Sequence, residues 1–496
     1  MAHSHGSVDR LVPLTQLDLA ACRSVSDIVA GMSKCSFGAR MLGEVAATLS
    51  DWCDSSRTPF IVYDGVLDSP LGKLLELMVK GGWFRWLMRP DECKLPPDRS
   101  RCALVVGPFS ERHADALFAR DPGTTIYVND QDLAAPGQVK DGHFPNAVFA
   151  DPRLIMPILA FTIRERRTGN PESVADLVRH LRDKKYGGVA DQFVAGADAL
   201  IAMAKNRDCR RFLTLSGAMT VAQMSLVICE LIDRDLVHAV TSTGALMAHG
   251  LVPGLGLRHY KHDPSVGDRR LAAQGLNRVT DTLEPETNFD QVDDIMSAVL
   301  DGIPGGRPIS PRLLNAAIGA YLAEHHPGHR AILRSAHERG VPVFVPAFTD
   351  SELGNDVFVT NVLRERILGR PRVTMDLELD SAELLRLMAE TPVAGIMTFG
   401  GGVPRNWTQN VAPLAEIYHN RLSGHGLEMP QRMFRYGCRV CPDRPHFGHL
   451  SGCTYEEGMS WRKFDPNGRF AEIRGDSTQV WPLLVKLLMD RQDEKN

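Results

Sequence analysis

The sequence has no apolar run long enough to cross a membrane. Its longest uncharged apolar stretch, around 154–163, falls far short of the ~20 residues that a membrane helix needs. Residues 1–10 are polar, with Asp9 and Arg10 already charged, so no apolar N-terminal leader is expected. These two absences make the cytoplasm the expected location. A basic tract is missing too, and a net charge of −4 gives no electrostatic footing on nucleic acid. The cysteines, ten in all, are scattered along the chain, which suits reduced thiols rather than a disulfide framework. There is no Gly-x-Gly-x-x-Gly fingerprint, so the ordinary sequence signal for a dinucleotide is absent.

What is present is ordinary globular material. The hydrophobic share is 44% and the charged share 23%, in a 496-residue chain long enough for two or three domains. Apolar spacing predicts a helix over 17–52, capped by Ser24 or Ser26. A short strand from Phe60 follows, stopped by Asp64 and Gly65, then a helix over 71–79 ended by Gly81 and Gly82. Two further strands are expected, at 103–106 and 124–128, with loops at 91–101 and 134–145. The polar stretch 164–171 marks a boundary.

Beyond that boundary the same programme returns. Ser24-Val25-Ser26-Asp27-Ile28-Val29 is matched by Ser173-Val174-Ala175-Asp176-Leu177-Val178, and Phe37-Gly38 by Tyr186-Gly187 at the same offset. Residues 1–170 are therefore expected to be an α/β unit that is a degenerate partial copy of the start of a larger domain, 171–496. In the larger domain strand and helix patterns alternate, which predicts a mostly parallel sheet with helices on both faces. Its strands end in hydroxyls and glycines: Ser216-Gly217-Ala218-Met219-Thr220, Thr241-Ser242-Thr243-Gly244 and Gly400-Gly401-Gly402. Such loops gather where ligands bind in open α/β folds. Asp350, at another strand end, is a candidate helix cap or ligand anchor. Cys438, Cys441, His446, His449 and Cys453 could reach zinc, but their spacing is irregular for a structural site and no metal is assigned.

The motif order resembles the deoxyhypusine synthase family, and more closely its bacterial deoxyhypusine synthase-like branch. The matching blocks run from Leu215-Ser216-Gly217-Ala218-Met219-Thr220 through Thr241-Ser242-Thr243-Gly244, Gly275-Leu276-Asn277-Arg278, Pro346-Ala347-Phe348-Thr349-Asp350 and Gly400-Gly401-Gly402-Val403-Pro404. They continue with Leu450-Ser451-Gly452-Cys453-Thr454, Ser460-Trp461-Arg462-Lys463 and Asp476-Ser477. The resemblance implies a Rossmann-like fold, NAD as cofactor and a homo-oligomer, dimer or tetramer. It also implies transfer of an aminobutyl group from a polyamine such as spermidine or putrescine, through an imine on a lysine, to an amine acceptor.

By motif, Lys463 is the nucleophile, Trp461 lies along the polyamine and Glu457 pairs with an ammonium. Ala218, Met219, Thr220, Thr241, Ser242, Thr243, Gly244, Asp350, Asp476 and Ser477 would contact NAD. Several positions depart from the eukaryotic pattern. Met247 and Ala248 replace paired glutamates, and Asn406 stands where the family carries a proton-carrying histidine. Leu450 replaces an acid, Asn355 an aspartate, and Arg462 the glycine before the lysine. Homospermidine-type synthesis is thus the most concrete expectation. The alternatives are a non-catalytic, regulatory paralogue and an NAD-dependent amine dehydrogenase, with His249, His446 and His449 as substitute proton carriers.

Overall fold

The computed structural model describes residues 10–55, 58–90, 102–107, 124–130 and 146–494. The loops expected at 91–101 and 134–145 lie outside them. The first sheet holds β1 (Phe60–Tyr63), β2 (Leu87–Met88), β3 (Ala103–Val106), β4 (Thr125–Asn129) and β5 (Ala147–Phe149), ordered β2-β1-β3-β4-β5 and wholly parallel. The chain continues through β6 (Cys209–Leu215), β7 (Ala239–Ser242), β8 (Tyr260–Lys261), β9 (Leu276–Val279), β10 (Thr282–Pro285) and β11 (Pro308–Ile309). Then come β12 (Val343–Phe344), β13 (Thr374–Met375), β14 (Val393–Phe399), β15 (Phe434–Val440) and β16 (Phe464–Ile473). The main sheet is ordered β12-β7-β6-β14-β15-β16, with every pairing parallel. A small antiparallel sheet, β8-β10-β9, stands apart. The expected α/β class with parallel sheets flanked by helices is the one observed.

The central strands are buried on both faces, and their sequences say why. In β6, Leu213 and Leu215 enter one core while Phe212 enters the other; in β14, Met397 and Phe399 face one way and Ala394 and Ile396 the other. The larger core is continuous from Leu17 to Met489 and joins the N-terminal unit to the main domain. After β6 the chain builds outward through β7 and β12, then returns to the other side of β6 with β14. That reversal leaves a crevice beyond the carboxyl ends of β6 and β14, where open α/β sheets bind ligands.

Several boundaries differ from the sequence expectation. The helix expected over 17–52 is two helices, Val25–Met32 and Phe37–Asp54. The stretch before them runs along the main domain instead, with the Leu14 and Leu17 amides donating to His259 and Gln223 carbonyls. Helix Phe37–Asp54 begins from a left-handed Phe37 (φ 59°) whose amide donates to the Asp281 carboxylate at 3.1 Å. The helix expected straight after Thr220 starts only at Ser225, because 218–224 form a turn. Helix, helix, strand, helix, strand is the succession at the start of both units. Ser24 and Ser173 cap equivalent helices by accepting from Asp27 and Asp176 amides.

Buried contacts fasten the N-terminal unit, among them two at the start of helix Phe37–Asp54. Arg40 Nη1 lies 3.3 Å from Asp281 Oδ2, both side chains nearly without solvent. Gly38 packs so closely on Asp476 that an added Cβ would stand 2.3 Å from its Oδ2. Removing one member of a dry ion pair leaves the other uncompensated. Arg40→Met should therefore lower the unfolding free energy by about 3–5 kcal/mol in urea denaturation. A loss of about 1 kcal/mol or less, the scale of an exposed pair, would show that the contact is not dry.

Candidate active site

The crevice is closed around one hydroxyl. Ser216 Oγ donates to the Phe399 carbonyl at 3.0 Å and accepts from the Gly401 amide at 2.8 Å. Gly400 has φ 81°, and a Cβ on it would stand 2.3 Å from Ser216 Oγ; a Cβ on Gly401 would stand 2.7 Å from Ser451 Cα. Only glycines let the three loops after β6, β14 and β15 meet here. Helix Gly402–Gln409 then starts at the crevice and carries Asn406 back along the sheet.

Lys463 meets that helix from the opposite end, because it immediately precedes β16. Its Nζ donates to Asn406 Oδ1 at 2.9 Å and lies 5.9 Å from the Trp461 ring centroid. The lysine is 8% exposed and the tryptophan 64%, so the amine is enclosed beside an open aromatic face. Burial pushes the Lys463 pKa below the ordinary lysine value; Cys453 and Glu457 pull it back up, and Arg405 adds to the fall. Arg405 is itself buried, donates from Nη1 to the Cys453 carbonyl at 2.5 Å, and sits over the Tyr455 ring. Its Nε and Nη2 reach no acceptor among the described residues. Glu457 is exposed on the short helix Tyr455–Ser460. Arg462 takes φ 54°, the conformation that favours the glycine expected there, and its guanidinium pairs with Glu416.

The loops expected to hold a dinucleotide are mostly turned inward. Met219 and Thr220 are buried, and Thr220 Oγ1 donates to the Leu246 carbonyl at 3.0 Å. Thr241 Oγ1 accepts from Thr408 at 2.7 Å, and Ser242 Oγ donates to the Thr243 carbonyl. Thr243 caps helix Gly244–Gly254. Gly244 abuts Ser351, which is the cap of helix Glu352–Arg366. That leaves Asp350 exposed beside it without the capping role. Ser477 Oγ donates to the Val440 carbonyl. Asp476 caps the last helix, accepting from Thr478 and Gly38, and burial raises its pKa against those bonds. Gly217 and Gly402, both left-handed with open space where a Cβ would stand, offer backbone to a ligand. Backbone at these two turns and the Asp350 carboxylate are therefore accessible, whereas Asp476 is buried and bonded to the chain itself.

Sequence reasoning missed a third cluster, apart from naming His249. His249 Nδ1 lies 2.5 Å from Glu284 Oε2, and His259 Nε2 lies 3.4 Å from the same oxygen. Among the described residues this is the one group whose ligating atoms close within the reach of a metal. Its protons are already allocated, however. The Gln223 amide donates to the Val221 carbonyl at 2.8 Å, so its nitrogen also faces His259 Nδ1 at 3.2 Å. That puts the His259 proton on Nε2, on the carboxylate side but without a hydrogen bond, so His249 is the ring that bonds Glu284. The cysteines weighed for zinc make separate contacts: Cys438 lies in the core of β15 and Cys441 donates to the Ser451 carbonyl. His446 and His449 are exposed.

The enclosed lysine is directly testable. In competitive acetylation read by mass spectrometry, Lys463 should gain reactivity at a lower pH than surface lysines, whose pKa lies near 10.4. A midpoint equal to theirs would remove the electrostatic case for an uncharged nucleophile.

Comparison with known proteins identifies the family. A family profile described as deoxyhypusine synthase matches residues 176–488. The chain is 30% identical over 338 residues to "Probable deoxyhypusine synthase" of Methanosarcina thermophila, covering 68% of this chain and 98% of that protein. It is 29% identical over 330 residues to "Probable deoxyhypusine synthase 2" of Methanosarcina acetivorans, covering 65% of this chain and 91% of that protein. It is also 29% identical over 294 residues to the "Deoxyhypusine synthase-like protein" of Chlorobaculum parvum, covering 59% of this chain and 80% of that protein. With its main domain matched almost end to end, the chain belongs to the deoxyhypusine synthase family.

Proposed function

We propose that the chain is an NAD-dependent aminoalkyl transferase. It would move a four-carbon aminobutyl unit from a polyamine such as spermidine or putrescine to a small amine, with a homospermidine-type product. The observation that carries this reading is Lys463, enclosed, held by Asn406 and flanked by the open face of Trp461. When bound, NAD supplies a hydride acceptor and later returns the hydride. The backbone at Gly217 and Gly402 would approach it, and Asp350 would take a hydroxyl.

The residues of the chain do the rest. Asn406 accepts a hydrogen bond from Lys463 Nζ and so fixes the direction of its lone pair. Uncharged, Nζ adds to the donor's C=N carbon; the bond to the departing amine breaks and the four-carbon unit stays on the lysine as an imine. The acceptor nitrogen then displaces Lys463 in the reverse sense. Trp461 covers the methylene chain and favours a cation over its face. Glu457, at the rim, attracts the distal ammonium.

Residues 1–170 we read as a degenerate copy of the start of the main domain. The exposed apolar side chains Phe358, Val359, Leu363 and Ile367 on and after helix Glu352–Arg366 suit contact between copies of the chain in a homo-oligomer. A second reading, a non-catalytic paralogue, draws on Asp476, which Gly38 holds away from any ligand.

Borohydride reduction of the NAD-loaded protein with spermidine or putrescine should leave a covalent adduct on Lys463, and Lys463→Arg should abolish it. No adduct with any polyamine would favour the paralogue. NADH accumulating in excess over protein, without adduct, would favour an amine dehydrogenase.

A further inference from the structure

An amine substrate arrives as an ammonium and has to lose a proton before its nitrogen can react. Asn406 cannot take that proton. We propose that His249, oriented by Glu284, is the group that carries protons to and from the amine substrate; this rests on the transfer reaction proposed above.

The pair is built as a proton carrier. Glu284 is 1% exposed and its Oε2 receives His249 Nδ1 at 2.5 Å. The same oxygen faces His259 Nε2 at 3.4 Å, and Asn288 Nδ2 donates to Oε1 at 3.5 Å, so the carboxylate cannot turn away. Phe289 packs edge-on against the His249 ring, with centroids 5.4 Å apart. With Nδ1 committed, Nε2 is the free position, and it faces Glu352 Oε1 at 3.9 Å on the partly open side of the ring.

The surroundings suit a polycation. Glu352 and Asp356 on helix Glu352–Arg366 and Asp293 on helix Glu286–Asp301 bring three carboxylates together. Asp356 is pushed up to about 6 by burial and then by Asp293 and Glu352. Among the described residues neither Asp356 nor Asp293 has a salt bridge, so a bound ammonium would relieve them. The third neighbour, helix Ile332–Arg339, faces helix Gly244–Gly254 with the apolar Ile332. For His249 itself, burial disfavours the charged ring, but Glu284 and then Glu352 outweigh it and raise its pKa. Burial pushes Glu284 up, while the neighbouring His249 and His259 rings prevail and hold it at about 2.

His249 and Asn406 lie on helices that leave the same edge of the sheet: helix Gly244–Gly254 follows β7, helix Gly402–Gln409 follows β14, and Thr241 is bonded to Thr408. In the step, the substrate N–H bond breaks, the proton passes to His249 Nε2, and the amine keeps its electron pair. The same proton returns to the departing amine.

The test follows the ring and the reaction together in the full-length chain. Long-range proton–nitrogen NMR of histidine-labelled protein should show His249 titrating above an ordinary histidine, with Glu284→Gln moving it down. Spermidine should lower it, because a cation beside the ring opposes its charge. In single-turnover adduct formation on Lys463, His249→Gln, which still offers Glu284 a donor, should slow the rate by about 100-fold or more and flatten its acid limb. A rate and pH profile within about twofold of wild type would overturn the inference, since a general base is worth at least about 100-fold. If wild type forms no adduct with any amine, the transfer reading fails, and the ring titration decides here: a His249 pKa unmoved by spermidine overturns the proposal.

Discussion

The hydroxyl of Ser216 is the point on which the site is hung. It bonds to both ends of a peptide step, the Phe399 carbonyl and the Gly401 amide, and so pins the end of β6 to the end of β14. A side chain at Gly400 or Gly401 would push Ser216 or Ser451 aside. Helix Gly402–Gln409 would then start elsewhere, and Asn406 would no longer lie over Lys463. The lysine's surroundings are therefore set by a contact made at the other end of the helix. The crevice is a topological consequence of the strand order, but its usable shape comes from one serine and two glycines.

Charge has been redistributed rather than simply lost. Met247 and Ala248, standing where paired glutamates were expected, point into the core. Carboxylates instead converge from β10 and helix Glu352–Arg366 on the next residue, His249. A buried carboxylate is tolerable only if hydrogen-bonded, and Glu284 meets that condition through the His249 ring and the Asn288 amide. The lysine is treated in the opposite way. Among the described residues no carboxylate contacts it, and burial favours its neutral form.

Much of the fold was legible because β6 and β14 are buried on both faces, and their apolar residues, Phe212, Leu213 and Leu215 in one and Ile396, Met397 and Phe399 in the other, stand close together in the sequence. The strands β15 and β16 were not. β15 carries Arg435, Gly437 and Arg439, while β16 has a register shift where residues 465–468 bulge opposite Arg435. Those two strands place Lys463, so its motif was readable while its geometry was not. Arg405, Glu284 and Glu352 also escaped notice. Each matters through neighbours far away in sequence, such as the 35 residues between His249 and Glu284, and periodicity carries no record of such pairs. Asp350 failed as a cap for a local reason: Ser351, one residue later, already bonds the Gly354 amide.

The fastening of the N-terminal unit has a consequence for how the chain is made. The Ala39 amide donates to Thr478 Oγ1 across 439 residues, and Gly38 rests on Asp476. Synthesis proceeds from the N-terminus, so the Gly38 and Ala39 amides lack their partners until Asp476 and Thr478 have been made. Loop closure over such a span is slow compared with local pairing. The start of that helix is thus made early and completed late.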